Sequence, residues 1–161
     1  MTDGRPLVLT RPLGGTLRLR AGVVARLRAH AQHDSRAPES GGVLIGRWLP
    51  TGPHAVVDDI TIPMVGDRQS RHRFFRSVLP HQAAVDAAWR RSGQVQTWLG
   101  DWYTHPEPSP SPSVVDRTSW RCSVMTDAFQ GDVLFFLIVG LDEVCGWEVD
   151  RNGRRRSLRR A

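Results

Sequence analysis

The strongest constraint on the fold of this chain lies in residues 100–120, which read GDWYTHPEPSPSPSVVDRTSW. The first part alternates as a β-strand does, which places Asp101, Tyr103 and His105 on one face with about 6.6 Å between neighbours. A proline-rich loop follows and ends at Ser113, a typical N-cap for the helical pattern that comes next. We therefore expect the chain to double back, with the end of the strand close to the first turn of the helix.

His105, at the end of the strand, and Asp116, in the first turn of the helix, are the two residues that this arrangement brings together. Histidine nitrogen and carboxylate oxygen are both common zinc ligands, and a catalytic zinc needs only three ligands from the protein. The spacing alone leaves two interpretations open. One is a metal site, and the other is a partly buried histidine that is hydrogen-bonded to an aspartate capping the helix.

The same residues resemble the signature of the JAB1/MPN/Mov34 (JAMM) metallopeptidases, which is a distant glutamate, then His-x-His, seven residues, serine, two residues and aspartate. Residues 103–105 (Tyr-Thr-His) occupy the His-x-His position, and Ser113 and Asp116 follow at the spacing of the family. Glu39, in the segment PESGGVLIG, occupies the position of the distant glutamate. The chain is most similar to small bacterial members encoded in anti-phage (CBASS-type) and ubiquitin-like conjugation operons, and the similarity extends over roughly residues 41–120.

The resemblance implies the MPN/JAB fold, a cytidine-deaminase-like α/β (α+β) domain with a single mixed β-sheet flanked by helices. We expect this domain over residues 1–150, followed by an arginine-rich tail over residues 151–161. The periodicity of apolar residues agrees, because it predicts helices and strands in mixed order. The predicted elements are a short strand at 7–10 or 16–19, a helix at 21–33, a hairpin of strands near 43–45 and 54–63, a short strand at 73–76, a helix at 80–91, a strand at 95–104, a helix from 113 to 120, and strands at 133–139 and 144–149.

The resemblance also implies a catalytic zinc ion (Zn2+) held by His105, Asp116 and the residue at the position of Tyr103. In the family's mechanism Glu39 would take a proton from the attacking water and later deliver it to the leaving amine. Ser113 would donate a hydrogen bond to the oxyanion that forms on the carbonyl. The implied reaction is amide hydrolysis, commonly of an isopeptide bond to the C-terminus of ubiquitin or a ubiquitin-like protein.

Trp102, Thr104 and Trp120 lie within or beside the signature, and we expect them to contact the substrate. The expected partner is a ubiquitin-like protein or its conjugate, with E1- or E2-like proteins of the same operon as further candidates. An extended tail of that partner would add as a strand beside the central strand. For most of the aromatic residues, packing in the core is the alternative role.

Tyr103 departs from the family, which has its first histidine ligand at this position. A phenol titrates at about pH 10, so it is a poor ligand at neutral pH unless the metal lowers its pKa. Three outcomes are open: Tyr103 binds the metal as a phenolate, another residue replaces it, or metal binding is lost and Tyr103 fills the space. The candidate replacements are Asp101, His54 and His72. Loss of one of three ligands would weaken metal binding.

Two other functions compete with that of a zinc-dependent isopeptidase. The first is a catalytically impaired module of the same family, which binds a ubiquitin-like tail without cleaving it because of Tyr103. The second is a nucleic-acid binder, since six of the last eleven residues are arginine and the formal net charge is +6. Because this charge is terminal and lacks interleaved aromatic residues, we do not expect a nucleic-acid partner.

At 161 residues the chain is long enough to form one domain with a core of its own. No apolar stretch is long enough to span a membrane, and the N-terminus lacks the charge and apolar order of a signal peptide, so we expect a cytoplasmic protein. Cys122 and Cys145 fit no metal-binding or redox spacing, and we expect two buried free thiols.

Overall fold

The structure is a computed structural model, and it describes residues 4–34 and 36–161. The helices are α1 (Ala21–Ala29), α2 (Val78–Arg91) and α3 (Val114–Thr126). The strands are β1 (Leu7–Thr10), β2 (Thr16–Leu19), β3 (Gly41–Trp48), β4 (Ala55–Ile60), β5 (Arg68–Ser70), β6 (Arg73–Phe75), β7 (Thr97–Thr104), β8 (Val133–Val139), β9 (Val144–Asp150), β10 (Arg155–Ser157) and β11 (Arg159–Arg160). None of the helices in the described part of the chain has the length and apolarity that a membrane crossing requires.

Nine of the described strands form one mixed sheet in the order β10-β9-β8-β7-β3-β4-β2-β1-β11, while β5 and β6 pair with each other as a separate hairpin. The two edge strands, β10 and β11, are separated in sequence by Leu158 alone. Eight spacings between strands correspond to about 38 Å, which is far more than one residue can span. The sheet therefore curls until its two edges meet. At the junction the Leu158 N–H donates to the Gly146 carbonyl at 2.8 Å, and the Ala161 N–H donates to the Val8 carbonyl at 3.0 Å.

Both faces of the sheet carry apolar cores, because helices pack against each of them. Strand β8 shows this most clearly, since all seven of its residues are buried. Phe135 and Leu137 lie in the core that contains α1, whereas Phe136 and Ile138 lie in the core that contains α3. Helix α2 packs on side chains of β3 in a third, smaller cluster. A strand covered on both faces needs no polar alternation, which explains the continuous apolar run of β8.

The predicted fold class is confirmed, because a mixed sheet is flanked by three helices in the described chain. Most elements lie near their predicted positions, and both short N-terminal strands form. Helix α1 ends at Ala29 and not at His33, and α3 continues to Thr126. The periodicity does not predict β5, β10 or β11, which are short and polar. Residues 1–3 of the expected domain and Ser35 of the loop before β3 lie outside the described residues.

The structure corrects the predicted boundary between a domain at 1–150 and a tail at 151–161. The arginine-rich segment is part of the sheet, because β10 pairs with β9 and β11 pairs with β1. The arginine side chains of these strands are mostly exposed, while Leu158 between them is only 8% exposed and belongs to the main core. The arginine-rich composition predicts a solvated tail, because composition reflects the polarity of the side chains and carries no information about backbone pairing.

The cysteines agree with the sequence-based expectation only in part. Both are free, as predicted, but Cys122 is exposed on α3 and Cys145 is half-buried in β9. The prediction that both thiols are buried is therefore wrong for Cys122, which lies on the solvent side of its helix.

Leu158→Ala should destabilise the protein by about 2–4 kcal/mol, because it removes the buried side chain that joins the two edges of the curled sheet. The measurement is urea unfolding of the variant and the parent. Leu13→Ala is the matched control, since Leu13 is 74% exposed, and it should change the free energy of unfolding by less than about 0.5 kcal/mol. Equal effects of the two substitutions would contradict the role of Leu158 in closing the sheet.

Candidate active site

The pairing of β3 with β7 determines which residues meet at the candidate site. The two strands are antiparallel, with Gly41 opposite Tyr103, so the start of β3 lies beside the end of β7. Glu39 comes shortly before β3, and His105 follows β7 directly. The two side chains therefore face each other across one end of the sheet, although 65 residues of intervening sequence separate them.

Asp116 completes a cluster with Glu39 and His105. One potential ligand atom of each residue lies within 4.8 Å of the other two, and no other such group of His, Cys, Asp or Glu exists among the described residues. His105 Nε2 is 3.2 Å from Asp116 Oδ2 and 4.0 Å from Glu39 Oε1. All three residues are buried. The structure thus brings together three of the residues that the sequence assigns to the site.

A capping box at the start of α3 fixes the position of Asp116. The Ser113 N–H donates to Asp116 Oδ2 at 2.7 Å, and the Asp116 N–H donates to Ser113 Oγ at 3.1 Å. Such reciprocal bonds satisfy N–H groups that a helix start leaves free. The two interpretations of the His105–Asp116 spacing therefore describe one arrangement, because the capping aspartate is also the residue that contacts the histidine. The exposed Ser113 keeps a hydroxyl proton that it can donate to a bound molecule.

Glu107 is a site residue that the sequence analysis missed. Its Oε1 lies 3.1 Å from His105 Nδ1. When the Nδ1–H of a histidine is donated to a carboxylate, the other ring nitrogen is the one that can bind a metal. His105 Nε2 then points to Asp116 and Glu39. The only sequence signal for this contact is the position of Glu107, two residues after the histidine in the loop.

Burial and mutual charge set the protonation of the cluster. Burial raises the pKa of Glu39 to about 8. The charge of His105 lowers this pKa, and the charge of Asp116 raises it by a smaller amount. Burial opposes the charge of His105, but the hydrogen bond and charge of Asp116 raise its pKa above the ordinary value. Burial also opposes ionisation of Asp116, yet its bonds with His105 and Ser113 lower its pKa. The cluster thus favours a protonated Glu39 and a His105–Asp116 ion pair, and a cation must displace protons to bind.

The hydroxyl of Tyr103 is hydrogen-bonded outside the cluster, although Tyr103 and Asp116 line the same cleft. Its hydroxyl donates to Asp101 Oδ2 at 3.2 Å, two residues back along the same face of β7. Its ring lies nearly parallel to that of Trp120, with 6.4 Å between the centroids. Burial and the charge of Asp101 raise the pKa of Tyr103 well above its ordinary value. Tyr103 is thus a neutral phenol bonded to Asp101, and its role as a metal ligand stays a prediction.

The three candidate replacements for the missing histidine also lie outside the cluster. Asp101 accepts hydrogen bonds from Trp98 Nε1 at 3.1 Å and from Tyr103, so its carboxylate is already occupied. His54 precedes β4 at the opposite end of β3, where its Nδ1 lies 2.9 Å from Thr16 Oγ1. His72 lies in the turn between β5 and β6. Within the described chain, the cluster therefore has Glu39 as its only third member.

The side chains of Trp102, Thr104 and Trp120, which we expected to contact substrate, are fully buried, and this corrects the prediction. Trp102 Nε1 donates to a backbone carbonyl at 2.8 Å, and Thr104 Oγ1 donates to Gln32 Oε1 at 3.0 Å. Trp120 stacks on Phe136 with 4.7 Å between ring centroids. Trp102 and Thr104 point away from the site because they alternate with Tyr103 along β7, on the face that packs with α1.

The β5–β6 hairpin holds the backbone of Glu39. The Glu39 N–H donates to the Ser70 carbonyl at 2.6 Å, and Gln69 Nε2 donates to the Glu39 carbonyl at 3.1 Å. Phe74 of β6 packs directly on Gly41, where an added Cβ would lie 2.4 Å from its ring. The hairpin is therefore the element that sets where the Glu39 side chain enters the cluster.

A buried Asp67–His81 pair fixes the loop from which this hairpin projects. Asp67 accepts hydrogen bonds from the N–H groups of Met64 and Ser77 at 2.7 and 2.6 Å, and its Oδ2 lies 2.9 Å from His81 Nε2. His81 Nδ1 lies 2.6 Å from Thr61 Oγ1. The side chains of Asp67 and His81 are 1% and 0% exposed. Thr61 and Asp67, at the two ends of the loop between β4 and β5, are thus both attached to α2 through the imidazole of His81.

The chain matches a family model described as prokaryotic homologs of the JAB domain over residues 20–157. The CD-NTase/cGAS isopeptidase of Vibrio cholerae serotype O1 is 43% identical over 118 residues, which are 73% of this chain and 72% of that protein. The probable metalloprotease y4qB of Sinorhizobium fredii is 32% identical over 88 residues, or 52% of this chain and 51% of that protein. The solution structure of protein DSY2949 from Desulfitobacterium hafniense has the same fold, with a TM-score of 0.58 at 20% identity over 89% of this chain and 88% of that one.

Asp67→Asn should destabilise the protein by about 2–4 kcal/mol at neutral pH, because a buried carboxylate loses charge-assisted hydrogen bonds. Burial opposes ionisation of Asp67, but its bonds from Met64, Ser77 and His81 lower its pKa below the ordinary value. The stabilisation is therefore complete above the unfolded pKa of about 3.9 and disappears as the pH falls through the lower folded value. Urea unfolding at a series of pH values measures this difference.

The exposed Asp86 provides the control for this series, and Asp86→Asn should change the free energy of unfolding by less than about 0.5 kcal/mol at every pH. A destabilisation by Asp67→Asn that stays constant from neutral to the lowest pH would contradict the ionised state that we assign to Asp67.

Proposed function

The chain belongs to the family of prokaryotic homologs of the JAB domain, and we propose that it is a zinc-dependent isopeptidase that releases a ubiquitin-like protein from a conjugate. The observation that carries this proposal is the convergence of Glu39, His105 and Asp116 at one buried point beside the exposed Ser113. These residue types supply what amide hydrolysis needs, which is metal ligands, a proton carrier and a donor to the developing oxyanion.

The names of the relatives suggest the substrate class. The relative from Vibrio cholerae is named CD-NTase/cGAS isopeptidase. Its 43% identity over 118 residues supports a related role for this chain. We therefore propose that the conjugate contains a CD-NTase-like protein linked to the C-terminus of a ubiquitin-like protein. Anti-phage defence and E1- or E2-like partners belong to the same proposal.

His105 Nε2 and the carboxylate of Asp116 would hold the metal, and the donor set of imidazole and carboxylate suits zinc. When bound there, zinc lowers the pKa of a water molecule and polarises the carbonyl of the scissile bond. Glu107 would keep His105 in the tautomer that a ligand requires, because it accepts from Nδ1. Tyr103 supplies no ligand in this arrangement, so we expect weaker metal binding than a site with two histidines would have.

Glu39 is suited to carry a proton in this reaction. Burial raises its pKa to about 8, and a cation bound beside it would favour the ionised carboxylate, which would accept a proton from water and return it to the leaving amine. Its Oε1 lies 4.0 Å from His105 Nε2, which leaves a small molecule within reach of both groups. Ser113, at the rim of the cluster, would donate its hydroxyl proton to the carbonyl oxygen of the substrate.

A second function has its own support, which is the hydrogen bond of 3.2 Å between Tyr103 and Asp101. This bond gives Tyr103 and Asp101 partners that do not depend on a metal. A module of this kind would hold a ubiquitin-like tail and protect the bond from cleavage. The two functions differ in one measurable property, which is the affinity of the cluster for zinc.

Tyr103→His should supply the missing ligand and raise the zinc affinity at least about tenfold, as measured by competition with a chromophoric chelator. His105→Ala removes a ligand and should abolish the binding. Cleavage of a fusion of the ubiquitin-like protein to a reporter then separates the two functions. Cleavage by the parent supports the isopeptidase, whereas cleavage by Tyr103→His alone supports the binding module. Absence of both zinc binding and cleavage in both proteins would contradict the proposed site.

Glu39→Gln should lower kcat for the same fusion by at least about 100-fold in whichever protein cleaves, because the proton carrier is lost. The variant should still bind the uncleaved fusion, since the amide has nearly the same shape as the carboxyl group. Asp142→Asn makes the same chemical change at an exposed position and should leave kcat within about twofold. An active Glu39→Gln protein would show that the proton moves by another route.

A further inference from the structure

A second cleft, of about 370 Å³, lies between α3 and the turn that joins β9 to β10. We call it the arginine cleft. Three arginines line it, and Val114, Val149 and Trp120 supply its apolar wall; the arginines are Arg117, Arg121 and Arg155. No residue of the metal cluster lines this cleft, and none of the contacts described above uses its arginines.

The arginine cleft carries uncompensated positive charge. Its three arginines are exposed, and none of them forms an ion pair within the described chain. The acid at the end of β9, Asp150, is already bonded to Arg156 at 3.0 Å. Among the described residues, no Asp or Glu lines the cleft. Three guanidinium groups in one concave surface raise the local concentration of anionic partners.

A cleft beside β2 provides a comparison, because arginines that line it form ion pairs. Three arginines, Arg18, Arg20 and Arg47, line that cleft, and two of them, Arg20 and Arg47, contact the carboxylate of Asp58 at 2.7 and 3.6 Å. Those guanidinium groups already have an anionic partner. The arginines of the arginine cleft have none among the described residues, so they remain available for a ligand.

Helix α3 connects the arginine cleft to the metal cluster. Val114, Arg117 and Arg121 recur at helical spacing and line the arginine cleft. Asp116 and the neighbouring positions Val115, Ser119 and Ser123 line a different cleft, of about 230 Å³, on the other side of the same helix. The metal cluster thus lies at the helix end that both clefts share.

The distance from the cluster to the arginines fits an extended peptide. Arg121 follows Asp116 by five residues, which is about 8 Å along the helix axis and about 140° around it. Because the two residues face different sides of α3, roughly five residues of extended chain are needed to pass over the start of the helix and reach the arginines. A polypeptide whose scissile bond lies at the cluster continues on both sides of that bond, so one of its two arms can reach the arginine cleft.

We propose that the arginine cleft binds an acidic segment of the protein substrate, with Asp or Glu side chains a few residues from the scissile bond. Arginine pairs with carboxylates through two parallel N–H groups, which gives orientation as well as attraction. The assignment to the substrate rests on the proposed isopeptidase function, whereas the preference of the cleft for acidic peptide does not.

The chemistry of the cleft favours a polypeptide over a nucleic acid. Base stacking needs an exposed aromatic face, but Trp120, the one aromatic residue that lines the cleft in the described part of the chain, is fully buried. The mouth of the cleft instead carries Val114, which is 67% exposed. An apolar rim with fixed guanidinium groups suits side chains of both kinds, as a peptide presents them.

The test measures binding of a fluorescein-labelled peptide of alternating Glu and Gly residues by fluorescence anisotropy at low salt. Reversal of all three charges, Arg117→Glu with Arg121→Glu and Arg155→Glu, should weaken binding about tenfold or more. The matched control reverses Arg36, Arg90 and Arg91, which are exposed and lie outside the cleft, and it changes the net charge equally. The control should alter the affinity by less than about twofold.

Each outcome decides the proposal. Equal loss in the cleft variant and the control would mean that only net charge matters and would overturn the cleft as a site. Tighter binding of a single-stranded oligonucleotide than of the acidic peptide, lost in the cleft variant, would overturn the choice of polypeptide. Replacement of the three arginines by Gln, with folding checked by thermal unfolding, keeps the test valid if charge reversal prevents folding.

A kinetic arm links the cleft to the substrate. With a cleavable fusion that carries acidic residues near the scissile bond, the cleft variant should raise KM and leave kcat nearly unchanged. A fusion in which Gln replaces those acidic residues should show no difference between variant and parent. If the parent binds the acidic peptide but the cleft variant has an unchanged KM for the acidic fusion, the assignment of the cleft to the substrate is overturned. If no fusion is cleaved, the anisotropy result still decides whether the cleft binds acidic peptide.

Discussion

The antiparallel pairing of β3 with β7 is the interaction on which the candidate site depends, because it places the start of one strand beside the end of the other. This approach requires glycine at the first two residues of β3. A Cβ at Gly41 would lie 2.4 Å from Phe74, and one at Gly42 would lie 2.2 Å from the carbonyl oxygen of Thr61. The hairpin and the loop after β4 can therefore pack on β3 from both sides. That packing delivers Glu39 to a point opposite His105.

The part of the site that residues 100–120 form can be predicted from the sequence, because the strand, the proline-rich loop and the N-capped helix follow one another directly. His105 and Asp116 are predictable in this way, and the structure brings them to 3.2 Å. Glu39 has no local pattern that marks it, and only the likeness of its segment to a known family identifies it. Glu107 and the Asp67–His81 pair escape prediction, because their contacts depend on the path of loops and on side-chain orientation that periodicity does not encode.

The errors have similarly physical causes. Trp102 and Thr104 are neighbours of the site in sequence, but alternation along β7 points them into the opposite core. The arginine-rich C-terminal segment looks like a solvated tail, yet its backbone pairs with strands that are distant in sequence. Tyr103 looks like a failed ligand when a family pattern is the only guide. In the structure it belongs to a network with Asp101, whose second oxygen accepts from Trp98.

The curled sheet also fixes the order in which the protein can be completed during synthesis. Every residue of the metal cluster, and both strands that position it, have been made by the time Asp116 leaves the ribosome. The seam of the sheet needs β10 and β11, which are made about 40 residues later. Because β1 must wait for a partner at the far end of the chain, it remains an open edge throughout that interval. The nascent protein therefore contains every residue of the metal cluster while β1 still lacks one of its two neighbours, and during this interval its open edge is accessible to chaperones.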